Sequence, residues 1–227
     1  MLGKYLAGFS VLVLAATSVS AQWTGTRLGG NIRKTDSVEL MQLTVECIAE
    51  RGPAYAAKVL ETVPGSDAEF RLIRKNAGDI EVCMGGSDTP VGGIKMTFTQ
   101  RPFRRALAAE MVKLQLAREI DLSQIAAPDP WYLVSLGGLP EGERSDAAYL
   151  AYMEFGDCVF LKSPQATIDY LRTEQDSKEE GMAIQKLMPA LSPCVAAGQE
   201  LELSHKALQI ALNEPVYHRL RRMEPES

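Results

Sequence analysis

Beyond the first two dozen positions, apolar residues recur at three- and four-residue steps, the spacing of one face of an α-helix. Leu40, Leu43, Cys47 and Ile48 follow it, as do Ala148, Ala151, Tyr152, Phe155, Cys158 and Val159. Two helices are expected there, each turning a cysteine toward the core. Phe103, Ala106, Leu107, Met111 and Leu114 mark another stripe, matched by Leu208, Ala211, Leu212 and Val216. Two short stretches instead alternate apolar with polar residues: Ile94, Met96 and Phe98, and Leu201 and Leu203. Alternation is the period of a half-buried strand, and a lone strand leaves its backbone unpaired. The two segments are therefore expected to pair with each other as a short antiparallel ribbon.

The residues that start and stop helices repeat along the chain. The interval from Cys47 to Cys83 equals that from Cys158 to Cys194. Overlaying the two intervals without gaps matches Pro53 with Pro164, Leu60 with Leu171, Thr62 with Thr173, Ser66 with Ser177, Glu69 with Glu180, Ile73 with Ile184 and Lys75 with Lys186. With the two cysteine pairs these make nine identities, against about two expected from ordinary composition, so an internal repeat is the better explanation. Pro53 and Pro164 suit a first helical position. Ser66-Asp67-Ala68-Glu69 and Ser177-Lys178-Glu179-Glu180 read as capping boxes, in which Ser bonds the third helical amide and Glu reaches back to the Ser amide. Thr99 and Ser204 read as N-caps of a last helix. Each unit is expected to run helix, helix, helix, short extended piece, helix. The fold class expected is mostly α, two tandem homologous helical units joined by the ribbon.

The first residues change the picture of where the protein works. Lys4, the apolar run Leu6 to Leu14 and the small residues Val19-Ser20-Ala21 read as a secretory leader cleaved after Ala21. The expected organisation is a leader over 1–21, a first unit over 35–120, a linker packed on the units over 121–144, and a second unit over 145–223. The linker is marked by Pro128, Pro130, Gly137, Gly138, Pro140 and Gly142 around an apolar centre at Trp131 to Val134. No later stretch has the length of a membrane span. The formal net charge of −5 becomes one unit more negative once Lys4 leaves, which supplies no basic field for nucleic acid.

Export makes oxidation available, and four cysteines allow three pairings. If each unit keeps its own bridge, the pairs are Cys47 with Cys83 and Cys158 with Cys194. Metal ligation by cysteine is disfavoured, because no C-x-x-C occurs. Of the two histidines, His205 reads as a solvated first-turn residue and His218 as an imidazole near a helix C-terminus. Gly85-Gly86-Ser87-Asp88 reads as a solvated loop. Arg101, Arg104 and Arg105 lie within about one turn of a helix and form a candidate patch for an anion or an acidic partner. No nucleophile elbow, zinc helix, phosphate loop or dinucleotide fingerprint is present, and no catalytic residue, metal or cofactor is assigned.

The paired Cys-bracketed helical units, with the cap and helix start at Leu203-Ser204-His205-Lys206-Ala207-Leu208, resemble those of uncharacterised secreted bacterial proteins. The resemblance covers nearly all of the chain after the leader and implies no activity. The function expected is that of a non-catalytic exported protein, periplasmic or extracellular, that binds a partner or supports an envelope assembly. The alternative is a hydrolase or small-molecule binder built on acidic and Tyr residues, which a cluster of perturbed carboxylates in one closed pocket would favour.

Overall fold

The computed structural model of the protein describes residues 37–84, 100–125, 129–136, 147–195 and 204–223. The expected leader and the Gly85 to Asp88 loop lie outside these residues. The first half holds α1 (Ser37–Arg51), α2 (Pro53–Leu60), α3 (Asp67–Lys75), α4 (Ala77–Cys83) and α5 (Gln100–Leu116). The short α6 (Trp131–Leu136) stands between the halves. The second half holds α7 (Ala147–Lys162), α8 (Pro164–Leu171), α9 (Lys178–Leu191) and α10 (His205–Met223), with a 3-10 turn at Ser192–Cys194.

Helix boundaries follow the local chemistry. Gly52 N–H closes α1 on the Ile48 carbonyl at 2.9 Å, and Ser163 N–H closes α7 on Val159 at 3.0 Å. Pro53 and Pro164 then open the next helices, where a missing N–H costs no intrahelical bond. Ser66 Oγ accepts from the Glu69 amide at 3.2 Å and Ser177 Oγ from the Glu180 amide at 3.0 Å. The two glutamates do not return to the Ser amides as expected. Those amides already bond the Val63 and Glu174 carbonyls, so each carboxylate reaches one residue further, to Gly65 N–H at 2.7 Å and Asp176 N–H at 2.8 Å. Gly65 and Asp176 both sit at positive φ, 75° and 60°, the left-handed turn that glycine adopts freely and aspartate tolerates.

The halves diverge in their third helices. Asn76 bonds its own side chain to the Leu72 carbonyl at 2.8 Å, an alternative to helix continuation that Asn favours, and α3 gives way to α4 there. Leu187, the residue overlaid on Asn76, is fully buried, and α9 runs through it unbroken.

Helix α1 packs on α5, α7 packs on α10, and α5 packs on α10. One buried apolar cluster therefore runs through both halves, with Val45, Ile48, Phe103 and Leu107 continuous with Phe155, Val159, Leu212 and Val216. Residues Lys34–Ser227 form one compact unit. The buried face of α1 is rotated from the expected stripe: Leu43 is 51 % exposed, and Val45, Ile48 and Ala49 face inward. The segments of the expected ribbon, Ile94 to Phe98 and Leu201 to Leu203, lie outside the described residues, which contain no strand. Within the described residues the halves are joined by α5 against α10.

Cys47 is bridged to Cys83 and Cys158 to Cys194, with Cα atoms 5.6 and 5.7 Å apart. Both are the within-unit pairings anticipated from the spacing. Each closes a loop whose chain-entropy contribution is at most about 3.8 kcal/mol. The bridges point to an oxidising compartment. Among the described residues no helix is long and apolar enough to cross a membrane.

The tightest helix contact is at Gly156. Pro215, inside α10, lacks the N–H that would bond the Ala211 carbonyl. Gly156 of α7 stands against that freed carbonyl, and a Cβ there would overlap the oxygen and lie 2.7 Å from Pro215 Cγ. Gly156→Ala is expected to destabilise the fold by about 1–3 kcal/mol, the range for overpacking. Urea unfolding measures it, and a loss under about 0.5 kcal/mol, the range of neutral surface changes, would mean that α7 and α10 separate freely.

Candidate functional site

The densest set of titratable side chains lies where α2, α3, α5, α6, α7 and α10 meet. Arg104 is carried there by α5, one residue from the Phe103 stripe, and is only 3 % exposed. Its Nη1 donates to Glu69 Oε1 at 3.0 Å and its Nε to Glu214 Oε1 at 2.8 Å. The same guanidinium donates to the Val59 carbonyl at 2.8 Å and the Leu60 carbonyl at 2.6 Å. Both carbonyls lie in the last turn of α2, where Val59 also accepts from the Thr62 N–H at 3.1 Å and the Thr62 hydroxyl at 2.6 Å, so the guanidinium is an added donor at this helix end. One side chain thus donates to a helix end and pairs with two buried carboxylates from different halves.

Around this core a second layer closes. Tyr149 Oη donates to Glu214 at 2.7 Å. His218 is buried and stacks on Trp131, with ring centroids 4.1 Å apart and planes 11° from parallel. Its ring nitrogens lie 3.6 Å from Glu214 and 3.7 Å from Glu61, within ion-pair range but beyond good hydrogen-bond length. Trp131 Nε1 donates to Glu61 at 2.7 Å. Burial alone would raise the Glu214 carboxyl, but Arg104 and His218 outweigh it and hold the group at about 2. Glu61 also feels burial first, and the His218 and Trp131 contacts bring it below the usual carboxylate range. Burial, then the Glu214 charge, pushes the Tyr149 phenol far up. These perturbed groups are displaced away from neutrality, whereas a general acid or base should sit near it.

Arg104, Glu69, Glu214 and His218 are buried, while Glu61 at the edge of the centre is about half exposed. Two clefts, of about 410 and 240 Å³, lie elsewhere. The larger is lined by Ile184, Met188, Leu191, Val195, His205 and Leu208, and none of the ionic centre opens into either.

The anticipated Arg patch does not form as a set. Arg101 and Arg105 are exposed, whereas Arg104 points inward, because it shares the apolar face of Leu107, Ala108 and Met111. His205 is half exposed and lies 3.1 Å from Glu180, its Nδ1 against Oε2. A further buried pair, Arg219 Nε and Nη2 on Asp157 Oδ1 and Oδ2 at 2.8 and 2.5 Å, binds α10 to α7. The sequence reading missed Arg104, His218 and Arg219 as buried. For Arg104 and Arg219 the signal was register: Arg104 is three and four residues from Leu107 and Ala108, and Arg219 three from Val216.

No protein-family model, curated protein or solved structure matches the chain.

Proposed function

We propose that the chain is an exported, non-catalytic module, made of two tandem copies of one helical unit, that presents a rigid helical surface to a protein partner. The observation that carries this reading is the burial of the ionic pairs around Arg104. Arg104, Glu69 and Glu214 are buried and engaged with one another, and the Glu214 carboxyl and Tyr149 phenol are displaced from neutral pH, so these groups serve the fold. The shared bridge spacing, the Pro and Ser helix starts and the paired left-handed turns at Gly65 and Asp176 support the tandem origin. Two bridges on a disulfide-stapled core support work outside the cytoplasm.

The remaining capacity lies on the surface, where Phe70, Leu133 and Met188 are each about half exposed. Photo-crosslinking residues placed singly at these three positions in the exported protein test the reading. The expected result is one discrete adduct with the same polypeptide, from one face only and reproduced when that polypeptide carries the crosslinker. Absence of any adduct, together with turnover in a hydrolase panel by the purified protein, would favour the enzyme reading.

A further inference from the structure

In the second half, the counterpart of the Glu69 site lacks its arginine. Glu180 overlays Glu69, caps α9 in the same way and is fully buried. In the first half Glu69 Oε1 holds the Arg104 guanidinium. The residue of α10 in the corresponding place is Gln209, when Thr99 and Ser204 are aligned as helix starts, and Glu180 Oε1 finds no hydrogen-bond partner among the described residues. A buried carboxylate oxygen without a partner is costly. Here, two other metal-ligating groups stand beside it: Asp176 and His205 bring a carboxylate oxygen and a ring nitrogen to within 4.8 Å of the Glu180 carboxylate and of each other. Both are exposed.

We propose that Asp176, Glu180 and His205 bind a divalent first-row transition-metal ion, which supplies the positive charge that Arg104 supplies in the other half. The chemistry of the donor set selects the ion: one imidazole and two carboxylates suit Zn²⁺ and its neighbours, while Mg²⁺ and Ca²⁺ prefer oxygen alone. Separation of Nδ1 and Oε2 by 3.1 Å fits two metal bonds of about 2.0–2.1 Å at roughly a right angle. Asp176 completes the set by swinging its exposed side chain inward. The Tyr170 hydroxyl donates to the His205 carbonyl at 3.0 Å and fixes the start of α10 behind the site. The ion would tie the start of α10 to the start of α9, and its remaining positions would hold water.

The test uses the oxidised, exported protein, stripped with a chelator and titrated with ZnCl₂ by calorimetry. One equivalent should bind with a micromolar dissociation constant and raise the unfolding temperature. His205→Ala and Asp176→Asn, both at exposed positions, should each weaken binding at least tenfold while folding normally, and Glu174→Gln on the same turn should leave it unchanged. Co²⁺ in place of Zn²⁺ should show ligand-field absorption that His205→Ala abolishes. Zn²⁺ binding unaffected by His205→Ala, no saturable binding at all, or equal binding of Mg²⁺ would overturn the proposal. The first and third outcomes would mark scattered surface carboxylates, the second a plain His205–Glu180 ion pair.

Discussion

Arg104→Met is expected to cost about 3–5 kcal/mol of folding stability, the range for breaking a buried ion pair from one side. Removing the guanidinium leaves Glu69 and Glu214 charged in a buried centre and takes a donor from the Leu60 carbonyl. Dispersion contacts of the methionine recover little of this, since the penalty is desolvated charge and unmet acceptors. Denaturant titration should show a lower midpoint with an unchanged slope. The triple variant with Glu69→Gln and Glu214→Gln removes the uncompensated charges and should regain much of the loss. Arg105→Ala, an exposed neighbour one residue away, should shift stability by no more than about 0.5 kcal/mol. Equal effects at Arg104 and Arg105 would contradict the buried centre.

Acid should remove the contribution of Glu214 over a defined window. Its folded carboxyl lies at about 2, against 4.5 for the unperturbed group. A depressed folded value means that the unfolded chain takes up the proton first as pH falls. The stabilisation is complete above the unfolded value, declines from about pH 5, and is gone as pH passes the folded value near 2. It amounts to something on the order of 3 kcal/mol. Glu214→Gln should start less stable at neutral pH, because Arg104 loses a charged partner. It should also lose less stability between pH 5 and 2 than the unaltered protein. An unchanged acid slope in that variant would assign the effect to other carboxylates.

What was legible in the sequence was local. Pro53, Pro164, Ser66, Ser177 and Ser204 start helices through their own backbone and hydroxyl chemistry, so no distant contact is needed to read them. The bridges were legible because equal spacing chose among three pairings. Charge was harder to place. Arg101, Arg104 and Arg105 look alike as a cluster, and only the step from Arg104 to Leu107, Ala108 and Met111 separates the buried one. His218 was read from its position near a helix end, while its environment comes from Trp131, far away in sequence. The Asp176, Glu180 and His205 group comes together from the starts of two helices 25 residues apart in the chain, a distance that carries no metal-ligand spacing. The face of α1 was misjudged because Leu43 is apolar yet exposed, and hydrophobic residues are common on protein surfaces.

The covalent links also decide how the chain would respond to force. Each bridge spans 36 residues and joins helices of one half only, so no disulfide crosses between the halves. Drawn by its two ends, the chain would part first along the seam of α5 and α10, where packing, the Arg104 centre and the Arg172 bond to the Leu116 carbonyl resist. The stretches inside the two bridges would stay out of the load path and add no length. The extended molecule would be shorter than its residue count implies, and its folded remnants would be two knots of helix, each tied by its own cystine.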